Sequence, residues 1–167
     1  SQMVEFSTMI STTDKTKNKS TFSRIKTVDE NYPLFGKVGY EPSGAFEKLQ
    51  TTENTILVNE NIFKNLNLKI NDKIKVQDKL FTVIGIVKSV PDIGGAFVFG
   101  DFALAGKQTL ELLKLNNLGS FLNYEYKVRF NEQDNPKTLS KKIEQLFKDE
   151  KKVRLRYHEK SDGPLKR

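Results

Sequence analysis

No cysteine occurs among the 167 residues, which excludes a disulfide framework, a thiolate zinc site and a cysteine nucleophile together. Histidine is nearly absent too. With His158 alone, a metal site would have to be mostly carboxylate, and a hydrolytic triad has a single possible general base. Long apolar runs are also missing: the longest, around Phe81 to Val87, reaches about seven residues against the roughly 20 that a membrane-spanning helix needs. The start, S-Q-M-V-E-F, carries neither a basic region nor a long apolar stretch, so no leader is expected in it. A cytosolic protein and a soluble piece of a larger chain both fit these absences.

What is present suits one compact unit of two lobes, with 37% hydrophobic and 29% charged residues. Val4, Phe6 and Ile10 recur with period two, a polar stretch runs from Ser11 to Ser20, and Phe22, Ile25 and Val28 follow; two strands joined by a loop are predicted. Tyr32-Pro33 breaks the pattern between Asp29 and Gly36, because proline drives its neighbour out of the helical region, and a lobe boundary is placed there. Thr55 to Val58 reads as a short buried strand leading into a helix capped by Asn59, with Ile62, Phe63 and Leu66 as its apolar stripe. The run L-K-I-N-D-K-I-K-V-Q-D-K-L-F-T-V-I-G-I-V predicts a hairpin: Lys73 to Val76, a turn at Gln77-Asp78, and Lys79 to Val87, where Gly85 supplies a bend that a small barrel needs.

Val90 to Gly106 holds four glycines and three phenylalanines, and a crossing between lobes with a strand at Ala96 to Phe99 is expected. Leu110, Leu112 and Leu113 crowd one side of a helix between Lys107 and Leu115. Leu122, Tyr124, Tyr126, Val128 and Phe130 alternate with polar residues, which predicts a strand with one buried face. Asn135 caps a helix beginning at Pro136, with Leu139, Ile143, Leu146 and Phe147 as its stripe, and Val153, Leu155 and Tyr157 alternate again. Strand, helix and strand in that order make a right-handed βαβ unit, for whose sheet the N-terminal strands are natural partners. The expected fold is therefore α+β in two lobes. A small β-rich, barrel-like lobe (35–97) is inserted into an α+β lobe made from both chain ends (1–34 and 98–167).

Three places invite chemistry. His158 ends the basic strand R-L-R-Y-H, and no G-x-S-x-G turn presents a serine to it; a small His-dependent hydrolase is the enzyme alternative. Gly94, Gly95, Gly100 and Gly106 match neither a P-loop nor G-x-G-x-x-G, so no nucleotide site is expected. Those glycines permit close backbone approach where lobes join, or else Phe97, Phe99 and Phe102 border an apolar surface. Charge is uneven: the net charge is +7, and from Asn135 onward 11 Lys and Arg face 5 Asp and Glu, which places +6 in the last 33 residues. A solvated face with the Glu144–Lys148 pair explains this, and a stand-alone basic domain for anionic lipid or nucleic acid is the binding alternative. No aromatic and basic stacking motif of RNA-binding sheets is present.

Four blocks in order carry a family resemblance: D-E-N-Y-P-L-F-G (29–36), I-L-V-N-E-N-I-F-K-N-L-N-L-K-I-N-D-K-I-K-V (56–76), F-T-V-I-G-I-V-K-S-V-P-D-I-G-G-A-F (81–97) and Y-E-Y-K-V-R-F (124–130). Together they resemble the MacB-like periplasmic core domain of FtsX-type ABC transporter permeases, the YbbP-like ones in particular. The sequence departs from that pattern in carrying Asn67 and Asn71 where glycines are usual, a tolerable change because Asn also accepts left-handed backbone. It also lacks the basic residue that often follows Gly94-Gly95.

The resemblance implies a non-catalytic domain at the periplasmic face of the inner membrane, with flanking transmembrane helices and no cofactor, metal or nucleic acid. ATP would be hydrolysed by a separate cytosolic ABC subunit. A hydrophobic or lipid-like substrate would be exported or extracted, and a periplasmic esterase-like or other envelope protein would be a partner. The residues expected to matter are Tyr32, Pro33 and Leu34 at the lobe junction and Pro91, Asp92, Gly94, Gly95, Phe97 and Phe99 in the glycine-rich crossing.

Overall fold

The computed structural model describes residues 1–14, 16, 18–92, 100–115, 122–129 and 133–148. The chain falls into two compact units, Ser1–Lys127 and Val128–Arg167. In the first, β1 (Gln2–Thr12) and β2 (Ser20–Val28) form the expected antiparallel pair, in register from Met3 opposite Val28 to Ser11 opposite Ser20. There follow β3 (Gly39–Glu41), α1 (Ala45–Thr51), β4 (Thr55–Asn59), α2 (Glu60–Asn65), β5 (Lys73–Val76), β6 (Lys79–Ser89), β7 (Phe102–Gly106), α3 (Thr109–Leu112) and β8 (Asn123–Tyr126). The strand order β2-β7-β4-β6-β5-β1 returns to β2, so six strands close into a barrel; β8 adds to the free side of β1, and β3 to β6. Closure removes the open edges that would otherwise template aggregation.

Alternation sends every barrel strand but β5 into two cores. Phe6, Ile10, Ile25, Ile56, Val58, Ile74, Val76, Phe81 and Val83 fill one face, joined by Ile62 of α2. Met3, Val28, Leu57, Ile84, Phe102 and Leu104 line the other, where α1 covers them with Ala45, Phe46 and Leu49. Both sides of β4 and β7 are buried, which is why those strands read as continuous apolar runs rather than alternating ones.

Local chemistry sets the elements as expected in several places. The Asn59 side chain accepts from the Ile62 amide, capping α2, and the hairpin turns at Gln77 with φ 55°. Asn67 and Asn71, with φ of 51° and 74°, occupy left-handed backbone, which Asn accepts. Gly85 marks a bulge: Ile56 faces Val83 but Leu57 faces Gly85, leaving Ile84 extra, and a Cβ there would lie 2.5 Å from the Glu41 carbonyl.

Other expectations differ from what is seen. The strand after the glycine-rich segment is β7, at 102–106, and the expected Ala96 to Phe99 lies outside the described residues. Helix α1 had no expectation at all. β8 is shorter than 122–130 and its four residues are exposed; among the alternating apolar set, Leu122 packs on the core while Tyr124 and Tyr126 do not. The sheet also joins what the sequence divides: β7 of the 98–167 group bonds β4 of the 35–97 group, and β1 of the 1–34 group bonds β5.

In the second unit the described element is α4 (Pro136–Leu146), whose N-cap Asn135 accepts from the Lys137 and Thr138 amides, with Pro136 in the first turn as expected. The final strand expected at 153–157 lies outside the described residues. No described helix is long and apolar enough to cross a membrane.

Candidate functional site

Lys26 is the residue that ordinary strand logic would send to water, yet its side chain is only 3% exposed. It follows Ile25 in β2 and lies on the face that Val28 shares, so it enters the second core with its charge. An isolated ammonium there would cost several kcal/mol in desolvation, so partners are obligatory. The main one is Asp92, 4% exposed, whose Oδ2 accepts from Lys26 Nζ at 2.6 Å. Tyr32 Oη donates to the other oxygen, Oδ1, at 2.5 Å, and the Lys26 ammonium stands 5.9 Å from the centre of the Tyr32 ring. Lys127, at the end of β8, approaches Asp92 Oδ2 at 3.3 Å, and Glu125 lies 3.8 Å from Lys26 and 3.7 Å from Lys127.

Burial pushes the Asp92 carboxyl up, but the hydrogen bonds from Lys26 and Tyr32 and the charges of Lys26 and Lys127 outweigh it and leave it below the usual carboxylate range. Burial, with the Asp92 hydrogen bond and charge adding to it, holds the Tyr32 phenol far above its ordinary value, so it stays a donor at any physiological pH. All buried side-chain polar atoms described have a hydrogen-bond partner.

Neighbouring contacts seat this cluster. Gln50 of α1 donates through one Nε2 to the carbonyls of Asp29 and Tyr32, both at 3.1 Å, fixing the turn after β2. Gly36, at φ +75°, presses on Pro91: a Cβ there would come within 2.5 Å of the proline ring, so only glycine lets the 33–36 loop meet the end of β6. Pro33 and Leu34 are half-buried in that loop, and Pro91 is exposed.

The chain start is pinned at the same place. The Ser1 nitrogen donates to the Lys127 carbonyl at 3.0 Å, and the Lys127 amide donates back to the Ser1 carbonyl at 2.9 Å, continuing the β1–β8 ladder. Asp29 accepts from the Ser1 hydroxyl at 2.9 Å and the Gln2 amide at 2.6 Å. Burial raises the Asp29 carboxyl, and these hydrogen bonds more than reverse the effect. Residues 1, 29, 92 and 127 are thus tied together at one end of the sheet.

Of the expected residues, Tyr32 and Asp92 meet directly, and Pro33, Leu34 and Pro91 flank them. Gly94, Gly95, Phe97, Phe99 and His158 lie outside the described residues. Phe102 does not border an apolar surface: it is fully buried in the second core. Lys26, Glu125 and Lys127 were not anticipated. The available signal was the run Ile25-Lys26-Thr27-Val28, where a lysine shares strand parity with a core valine.

The cluster can hold elements together; it offers no nucleophile, and no described group of three or more carboxylates and histidines could bind a metal. A cleft of about 330 Å³ lies elsewhere, lined mainly by polar groups such as Asp14 and Asp72.

The family described as MacB-like periplasmic core domain matches residues 2–146. The uncharacterized ABC transporter permease YbbP of Escherichia coli (strain K12) is 29% identical over 115 residues, covering 66% of this chain. The chain spans only 13% of the length of that permease. Among solved structures, the extracellular domain of the noncanonic ABC-type transporter YknZ from Gram-positive bacteria superposes with a TM-score of 0.59 at 10% identity, over 89% of this chain and 74% of that one. The periplasmic region of MacB from Actinobacillus actinomycetemcomitans gives 0.54 at 14% identity, over 87% and 66%.

Proposed function

We propose, from the premise that the chain belongs to the MacB-like periplasmic core domain family of ABC transporter permeases, that it is a mechanical relay. Movement of the membrane helices enters at the end where residue 1 bonds residue 127, and passes through the closed barrel without any bond-making step. ATP hydrolysis belongs to a cytosolic ABC subunit, and the movement serves export or extraction of a hydrophobic or lipid-like substrate, in contact with an envelope protein partner of esterase-like or other kind. Tyr32 and Asp92, with Lys26, rivet the input end; Pro33, Leu34 and Pro91 seat them.

The observation that carries this reading is the two-way backbone pairing of Ser1 with Lys127, at the end where the buried ion cluster stands. A rigid input of that kind suits a part that must move as one body. The test is a flexible Gly-Ser segment of about ten residues inserted ahead of Ser1 in the full-length permease, reconstituted with its ATPase in vesicles carrying a fluorescent phospholipid. ATP turnover should persist while lipid extraction is lost. Undiminished extraction would overturn the relay.

A further inference from the structure

Strand β8 is joined to the barrel in a way that lets it leave. Its four residues are exposed, and its ladder to β1 runs only from Gln2–Tyr126 to Glu5–Asn123, with the Ser1–Lys127 rung beyond. Leu122, packed against the first core, anchors the start of β8, and Gln2 Nε2 donates to Tyr126 Oη at 3.3 Å. β1 does not need β8 to stay in place. It pairs with β2 from Met3–Val28 to Ser11–Ser20, and the Asp29 carboxylate holds the Ser1 hydroxyl and the Gln2 amide.

The charged side chains that tie β8 to the barrel are Glu125 and Lys127. Two residues apart, they share a face. With Lys26 and Asp92 they form a ring of alternating charge: Lys26 to Asp92 at 2.6 Å, Asp92 to Lys127 at 3.3 Å, Lys127 to Glu125 at 3.7 Å and Glu125 to Lys26 at 3.8 Å. Glu5, opposite both Lys26 and Asn123, turns instead to Arg24 of β2 at 3.7 Å and so belongs to the barrel's own charges. The ring divides into two neutral halves. Lys26 and Asp92, 3% and 4% exposed, keep each other neutralised when β8 departs, while Glu125 and Lys127, 53% and 29% exposed, stay paired and gain water. Opening the ring along that line strands no buried charge, whereas deleting Asp92 would.

We infer that β8 is a detachable strap: it opens from Lys127 back toward Leu122 while the barrel stays closed, and the ring of Lys26, Asp92, Glu125 and Lys127 is the clasp that sets how often it opens. Partial opening draws on segments with few buried contacts and solvent-exposed backbone bonds. That fits β8, whose residues are all exposed, and not the six barrel strands, each of which buries side chains in a core. Resting on the relay reading for its use, the strap is where the chain continuing beyond Lys127 engages the barrel or slips from it. The strap itself is independent of that reading.

Amide hydrogen exchange of the 167-residue chain, followed by NMR, tests this. The Lys127 amide, bonded to the Ser1 carbonyl, and that of Glu125, one hydrogen-bonded rung back, should be protected at least about a hundredfold less than the β2 amides. Glu125→Gln with Lys127→Met should lower protection at both positions about tenfold further and leave the β2 amides unchanged. Molar salt should bring the parent to the variant's values, because the outer half of the clasp is open to screening. A disulfide between Gln2→Cys and Tyr126→Cys, the non-hydrogen-bonded pair next to the Ser1–Lys127 rung, should raise β8 to the protection of β2 and cancel the effect of the double variant. If β8 and β2 are equally protected in the parent, the strap is refuted. If the double variant matches the parent at positions 125 and 127, the clasp is refuted. Failure of the relay reading shows elsewhere, as extraction that survives the Gly-Ser insertion, with these exchange rates unaffected.

Discussion

Two ion clusters in the same unit show how differently the same chemistry behaves in different surroundings. Lys26 and Asp92 meet at 2.6 Å with side chains 3% and 4% exposed. Lys88 lies 2.9 Å from Glu41 and 3.0 Å from Glu60, a comparable geometry, but those three side chains are 39%, 56% and 53% exposed. Water and salt already solvate the second trio in the unfolded chain nearly as well as the pairing does in the fold. Lys26 and Asp92 have almost no solvent to turn to, so each is held in place by the other, and removing one strands its partner. A lysine count would rate the two alike; burial separates them.

The comparison can be broken in four ways, taken in decreasing order of effect. Asp92→Ala leaves the Lys26 charge buried without its main partner and should cost about 3–5 kcal/mol in urea unfolding. The double variant Lys26→Met with Asp92→Leu should recover most of that loss, and failure to recover it would mean that the pair contributes net stability rather than mutual compensation. Tyr32→Phe removes one charge-assisted donor while keeping the ring under α1, and should cost about 1.5–3 kcal/mol by the same measurement.

Third is pH. The Asp92 carboxyl is held below its unfolded value, so its contribution is complete above the ordinary carboxylate range of about 4 and is lost as pH falls through it toward the folded value. The Lys26→Met, Asp92→Leu chain should accordingly show a shallower fall in melting temperature between about pH 5 and 2 than the parent. Last, Lys88→Ala should leave the urea midpoint unchanged within error, and at molar salt the two curves should coincide. A large Lys88 effect would erase the distinction.

Much of the barrel was legible because its signals are local. The Gln77-Asp78 turn, the Asn59 and Asn135 caps and the alternation in β1 each depend on a few adjacent residues. β7 was missed because F-A-L-A-G is buried on both faces and follows a glycine-rich stretch, so it has no period to read. α1 was missed because its seven residues follow a Pro-Ser-Gly turn and its apolar contacts, Phe46 and Leu49, match a face set by distant strands. The candidate site divided along the same line. Tyr32 and Asp92 fell in blocks that looked distinctive, whereas Lys26 and Lys127 become partners only because β2, β8 and the end of β6 converge, and one-dimensional patterning carries no record of that meeting.

The rung joining residues 1 and 127 determines how the molecule would answer a tug. Force drawing those two points apart meets the β1–β8 ladder at its last step, and hydrogen bonds there would open singly, as a zip does. Force running lengthwise down β1 would instead load every step from Met3–Val28 to Ser11–Ser20 at once, in shear. The same strand is therefore soft in one direction and stiff in the other, and the Lys127–Asp92 contact stands at the tooth where unzipping would begin.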